Sequence, residues 1–302
     1  MIRFLAHNEI DVVKWDHCIS ESGTTLPYAY SWWLDTVNPG WNALIMDDYL
    51  AVMPLTGSKK LGFNYLFQPW FTQQLGIFSP REEPKTEAGR FLQAIPGIYR
   101  FVDIQLNAEN IPSSDLYRVN YRTNFELKLD KDYMSIYSSY HRNCRRNVQK
   151  AKAAGLKADR GPGASLFSRF VARNIEDRLP HSKDLFTVLE KLLGTCEMNG
   201  TGKSLGIYRN QVLLAAGWIV EMPERVLFMA CASTMEGKQN QAMYALVDHI
   251  ISTYAGTGKI LDFTGSTMPG VAYFNAGFGA IKTAYPSVKR NTLPWYLKML
   301  KK

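Results

Sequence analysis

The sequence predicts an α/β protein of two tandem lobes, each a mixed sheet flanked by helices. Three observations lead there. The chain has 302 residues, 46% of them hydrophobic, which is long for one compact core and points to two. An order of helices, hairpin strands, helix and strands runs from Ile2 to Leu129 and then recurs. The boundary between the two passages falls near 132, with lobes over 1–132 and 133–302, and with no Pro/Gly-rich linker between 130 and 140 the lobes are expected to pack against each other.

In the first lobe, Ile2–Leu5 reads as a strand and Ile10–Ser20 as a helix. Pro27 opens a second helical stretch through Trp32 and Trp33, closed by Asn38-Pro39-Gly40. The runs Trp41–Met46 and Tyr49–Leu55, joined at Asp47-Asp48, form a hairpin signal. Strands over Phe63–Pro69, Phe101–Leu106 and Tyr117–Leu129 and a helix over Glu83–Ala94 complete the lobe.

The second lobe opens with helices over Tyr133–Tyr140 and Arg142–Ala154, the latter ended by Gly155. Two more, Ala164–Arg178 and Ser182–Asn199, flank Pro180. Strands follow over Lys203–Tyr208, Leu213–Glu221 and Val226–Ser233. Gln239–Tyr254 is strongly periodic, with Ala242, Leu246, Val247, Ile250 and Ile251 on one side. Ile260–Phe263 is a short buried strand, Gly270–Ala276 a helix and Lys282–Val288 a last strand.

Composition narrows the function. A net charge of +8 favours anionic partners without choosing among them. Cys18, Cys144, Cys196 and Cys231 lie too far apart in sequence for a metal or redox pair. They read as reduced thiols in the cytoplasm. No apolar stretch approaches the ~20 residues of a membrane span. No metal is expected.

The segment Leu261-Asp262-Phe263-Thr264-Gly265-Ser266, followed by Pro269-Gly270-Val271-Ala272-Tyr273-Phe274-Asn275-Ala276-Gly277-Phe278-Gly279, resembles the signature of the FemAB-like acyltransferases. There a buried strand ends in Asp-Phe-x-Gly, and a short helix follows with an aromatic pair before Phe-Gly. Arg142-Asn143-Cys144-Arg145-Arg146-Asn147-Val148-Gln149-Lys150 is similar to the family's basic helix. Tyr65-Leu66-Phe67-Gln68-Pro69 and Gln73-Gln74-Leu75-Gly76 match more loosely. Where the family often has Phe-Lys in the short helix, this chain has Phe274-Asn275.

The resemblance implies two GNAT-like folds in tandem and transfer of an acyl or aminoacyl group to an amine. The donor is acyl-CoA or aminoacyl-tRNA, which makes tRNA a partner to consider. The acceptor is a small-molecule amine or a cell-envelope or polysaccharide precursor; no DNA is implicated. The resemblance further implies an oxyanion site on the backbone of Met229, Ala230 and Cys231, in a strand splayed from its neighbour. Asp262 is expected to hold or deprotonate the amine, and Tyr273 to face the leaving group. Donor phosphates fall to the turn Gly237-Lys238-Gln239-Asn240 and to Arg142, Arg145 and Arg146, whose forks suit phosphate. Gly265, Ser266, Phe274, Phe278, Gln68 and Trp70 are expected around the substrate.

Structural readings stand beside these. Residues 142–160 hold seven basic residues, and such runs often form a solvated face. Asp262 could cap the turn at Gly265, Tyr273 could pack on a strand, and His249 could be a core histidine. The first-lobe aromatics Tyr28, Tyr30, Trp32, Trp33, Trp41, Trp70 and Phe71 serve either as a stacking wall or as core. At the level of the whole chain, the rival to an enzyme is a non-catalytic pair of GNAT-like lobes that binds a nucleotide, CoA or RNA.

Overall fold

The computed structural model describes residues 1–60, 62–175, 183–265 and 268–298. The chain divides into two compact units. One comprises Met1–Arg122 together with Ala284–Lys302, the other Thr123–Thr283. The chain thus passes from the first unit to the second at 122/123, and its C-terminal segment groups with the first unit, not the second.

In the first unit, strand Ile2–Leu5 pairs antiparallel with Asn42–Met46, which pairs antiparallel with Ala51–Leu55. The expected hairpin is present, and its turn places Asp47 and Tyr49 at positive φ. A second set of strands is mixed. Gly57–Lys60 lies antiparallel to Phe63–Phe67, which runs parallel to Tyr99–Gln105; the latter pairs antiparallel with Ile281–Asn291. Helix Val12–Glu21 starts at Asp11, whose carboxylate accepts from the N–H groups of Val13 and Lys14. Trp15, Tyr28, Trp33 and Trp41 are buried, so these rings are core. The indole N–H groups of Trp15, Trp33 and Trp41 donate to Ala29 O, Thr72 Oγ1 and Asp35 Oδ1. Gln68 bridges the backbone, donating to Thr72 O and accepting from Gln105 N–H. Trp70 is half exposed.

In the second unit the end of strand Arg118–Lys128 pairs antiparallel with Ile260–Asp262, which runs parallel to Arg225–Ser233. Val212–Glu221, Gly202–Arg209 and Lys157–Arg160 follow, each antiparallel to the one before. Helices Arg142–Ala153 and Ala242–Tyr254 bury Val148, Leu246, Val247, Ile250 and Ile251 in a core with Leu214, Ala215, Ile219 and Leu261. Helix Ala164–Ile175 sets Phe167 edge-on to Trp218.

The sequence missed two strands, Gly57–Lys60 and Lys157–Arg160. Both are short and mostly exposed and carry charged residues. Such strands lack the apolar alternation that a sequence pattern registers, and their charges discourage pairing with another chain. Two expected helices are each broken in two. Glu83–Ala94 becomes Glu82–Thr86 and Ala88–Ala94. Gln239–Tyr254 becomes Met235–Gln239 and Ala242–Tyr254, with Gln241 left-handed at φ +61° between them.

Candidate functional site

The site grows out of one irregularity in the second sheet. Strand Arg225–Ser233 pairs with Ile260–Asp262 only at Arg225–Ile260, Val226–Leu261 and Leu227–Asp262. Beyond that the first strand continues to Ser233 while the other leaves the ladder at Phe263. On its opposite edge, strand Arg225–Ser233 carries a bulge. Ala230 faces Trp218 and Phe228 faces Ile219, which leaves Met229 as the extra residue. Bulges bend and twist a strand locally, and this one sits where the two parallel strands part.

The opening is a cavity of about 440 Å³ lined by Phe228–Ser233 of the bulged strand, Phe263–Gly265 opposite, and Gly270, Val271, Phe274 and Asn275 of helix Pro269–Gly277. Asn174, Ile175, Lys238 and Met243 complete its described lining. Met229, Ala230 and Cys231, expected here, are therefore in its wall, as are Gly265, Phe274 and Lys238. Burial pushes the Cys231 thiol up to about 11, so near neutral pH it is a thiol and not a nucleophilic thiolate.

Asp262 needs a correction. It is fully buried and does not line the cavity. Its Oδ2 accepts from Arg225 at 2.7 Å, and its Oδ1 accepts from Asn124 Nδ2 at 2.9 Å and from Thr264 N–H at 2.8 Å. Arg225 also donates to Glu126 at 2.7 Å. Burial opposes the guanidinium charge, but Asp262 and Glu126 more than offset it and hold the group above its ordinary value. A carboxylate with both oxygens engaged this way has no free edge for an amine. It shapes the turn instead: Asn124 Oδ1 accepts from Gly265 N–H at 2.8 Å, and Thr264 Oγ1 donates to Phe228 O at 2.8 Å. These bonds hold Thr264 at φ +53°, which a β-branched residue adopts only when its surroundings impose it.

Tyr273 also departs from expectation. It is 60% exposed and does not line the cavity. Gly270, Val271 and Phe274 of the same helix do, so its phenol belongs to another face. Phe278 is core, packed on Tyr140, Tyr244, Phe263 and Phe274. Gln68 and Trp70 belong to the first unit and are not among the cavity's lining residues. Ser266 lies outside the described residues.

The turn after the bulged strand is bonded to its own N-cap and packed on the sheet. The N–H of Gly237 donates to the side chain of its N-cap, Thr234, at 2.9 Å. A Cβ on Gly237 would stand 2.2 Å from Leu214 O, so glycine is there for close packing on the sheet. Glu236 is paired with Arg209, which also donates to Asn240. Gln239 is exposed. Of the four residues, Lys238 alone reaches the cavity.

Arg142, Arg145 and Arg146 do come together, with Asn143 and Gln149, around a surface depression. The helix buries Cys144, Asn147, Val148 and Ala151 on its other side, which fixes the basic face outward. Arg145 and Arg146 are steadied by Ser138 O and Asn143 Oδ1. The helix begins where helix Pro269–Gly277 ends: the His141 N–H donates to Gly277 O at 2.9 Å.

A buried group that sequence reasoning passed over is Asp248, beside the half-buried His249. It accepts from Tyr133 and Tyr140 at 3.0 and 3.1 Å, and Lys152 lies 3.4 Å away. Burial, then the Asp248 charge, raises both phenols well above their ordinary value. The same causes take the Cys144 thiol to about 12. The apolar helical period around Asp248 was the signal: a carboxylate on that face requires donors. No group of three or more potential metal ligands occurs among the described residues, and no described helix is long and apolar enough to cross a membrane.

No family model matches the sequence, and no curated protein matches it. Solved structures do. The chain is similar to FemX at 12% identity and a TM-score of 0.70, over 97% of this chain and 99% of that one. It is similar to L-PGS from Bacillus licheniformis at 12% identity and a TM-score of 0.56, over 96% and 95%. A tandem GNAT protein from the clavulanic acid biosynthesis pathway aligns at 11% identity and a TM-score of 0.51, over 97% and 99%. The chain has a FemAB-like, GNAT-type fold. Its α/β architecture and mixed sheets are those expected from the sequence.

Proposed function

We propose that the protein transfers an acyl or aminoacyl group from a thioester or ester donor to an amine. One observation carries this reading. Two parallel strands part after Leu227–Asp262 over a cavity, beside a bulge at Met229. A strand edge released from its ladder offers backbone N–H groups that are already fixed in place. Donors of that kind stabilise the oxyanion that develops on an acyl carbonyl. Met229, Ala230 and Cys231 supply them, and the bulge aims them.

In the reaction, the neutral amine nitrogen attacks the acyl carbon and the bond to the carrier's sulfur or oxygen breaks. One amine proton ends on that leaving atom. The described lining contains no His, Asp or Glu, so positioning and oxyanion stabilisation supply the acceleration assigned to this chain. Asp262, Asn124 and Arg225 act through the Thr264–Gly265 turn as positioning residues. Lys238 and the Arg142–Arg145–Arg146 face attract the donor's anionic carrier. Fold likeness to FemX and the tandem GNAT protein supports acyl or aminoacyl chemistry at this coarse level; the acceptor in this reading is an amine of a small molecule or envelope precursor, met in the cytoplasm.

A second reading, binding of CoA, a nucleotide or RNA without turnover, is favoured by the lack of His, Asp or Glu in the described lining. The test supplies a panel of acyl-CoA thioesters and aminoacyl-tRNAs with a panel of amines. It follows free thiol, deacylated tRNA and new amide together. Amine-dependent release of carrier supports transfer. Donors that raise the melting temperature but are never turned over would sink transfer and leave the second reading.

A further inference from the structure

We infer that the acyl group this site accepts is an uncharged apolar chain and not a cationic aminoacyl group. The inference deepens the transferase reading and rests on it.

The cavity's described walls are Phe228, Met229, Ile175, Met243, Phe263, Val271 and Phe274, with the small residues Ala230, Ala232, Gly265 and Gly270 between them. Its polar groups are Asn174, Asn275, Thr264, Ser233 and the Cys231 thiol, all neutral. Lys238 is the one charged residue of the described lining, and it is cationic and exposed. A bound aminoacyl ester carries an α-ammonium, and a lysyl ester a second one. Desolvating an ammonium requires a carboxylate or a cage of acceptors. Among the described residues, the buried carboxylate next in sequence to the lining is Asp262, and both its oxygens are occupied by Arg225, Asn124 and Thr264. Lys238 would moreover repel the ammonium. The same lysine favours a donor whose carrier is anionic, as a phosphorylated thioester is.

A cavity of about 440 Å³ is within the size range of small-molecule sites and is more than an acetyl group needs. Its aromatic and Met walls suit a flexible hydrocarbon: thioether side chains adjust to irregular shapes. Each methylene removed from water should tighten binding roughly fourfold.

The test measures binding of non-hydrolysable thioether analogues of acetyl-CoA and octanoyl-CoA by calorimetry, alongside CoA itself and lysyl-tRNA. The expected result is a gain of at least about 100-fold from acetyl to octanoyl and no competition by the lysyl group over uncharged tRNA. Met243→Glu should remove most of the chain-length gain while leaving CoA affinity within about twofold. Val271→Phe, which fills the cavity from a partly exposed position, should do the same without adding charge. Both variants are checked for parental melting temperature, and the inference can be read from the one that folds.

Equal affinity for acetyl and octanoyl analogues would overturn the inference and leave the transferase reading standing. So would preferential binding of lysyl-tRNA. Failure of every donor to bind would overturn both.

Discussion

Replacing Arg225 by Leu tests the account of the buried knot beneath the site. Arg225 is 15% exposed and Asp262 not at all, so the substitution leaves a carboxylate in the interior without its cation. Removing one partner of a buried pair costs ~3–5 kcal/mol. Asp262 keeps the bonds from Asn124 and Thr264 on Oδ1, which places the loss near the lower bound, about 3 kcal/mol. At about 2–4 °C per kcal/mol for a domain of 150–250 residues, the melting temperature should fall by roughly 6–12 °C at pH 7, as read by calorimetry. Burial already holds the Asp262 carboxyl above its ordinary value despite the lowering effect of Arg225, and loss of Arg225 raises it further. A carboxyl raised in the folded state costs stability as pH climbs from the unfolded toward the folded pKa. The deficit should therefore shrink as the sample is taken toward pH 4. Adding Asp262→Asn removes the stranded charge and should recover part of the loss. A single variant melting within about 2 °C of the parent, or a double variant no better than the single, would refute this account.

Three further outcomes are expected. Gly237→Ala, whose Cβ would meet Leu214 O at 2.2 Å, should destabilise by about 1–3 kcal/mol in urea melts, whereas Gly194→Ala, with nothing within 4 Å in a helix interior, should stabilise by up to ~1 kcal/mol. Burial raises the Glu221 carboxyl, but Tyr254, Lys259 and Lys203 together hold it down at about 2; that contribution is present above about pH 4.5 and lost as pH falls toward 2, and Glu221→Gln should flatten the decline in an acid titration of stability. Converting Arg142, Arg145 and Arg146 to Ala should weaken binding of CoA or tRNA at low salt, with the difference narrowing as salt rises; equal affinity at low salt would reduce the basic face to a solvated surface.

The buried strands and long helices were legible because apolar runs and a 3.6-residue period are local signals. The cavity wall was legible as well, because the fold expected from the signature places a parting strand at Met229–Cys231. The partners of Asp262 were not. Arg225 is 37 and Asn124 138 positions away in sequence, and no local pattern distinguishes a free carboxylate from one clamped across strands. Tyr273 was misplaced for a related reason. Helix Pro269–Gly277 is apolar around much of its circumference, so its spacing does not say which face meets the cavity. The packing role of Gly237 was not legible, since a phosphate turn and a close approach both demand a missing side chain, and the neighbour at 2.2 Å is Leu214, 23 positions away in sequence. Asp248 was readable and was passed over for the histidine next to it.

The grouping of Ala284–Lys302 with Met1–Arg122 has a consequence for how the chain matures. Strand Tyr99–Gln105 receives its antiparallel neighbour from residues 287–291, and Leu106 N–H donates to Pro286 O. While the chain is being synthesised, the first unit therefore waits with that edge unpaired until the whole of the second has left the ribosome. The second unit is drawn from one uninterrupted stretch and needs no such wait. The part made first is the part finished last, and a cut at residue 132 would leave the earlier fragment short of a strand and the later one carrying a strand that belongs elsewhere.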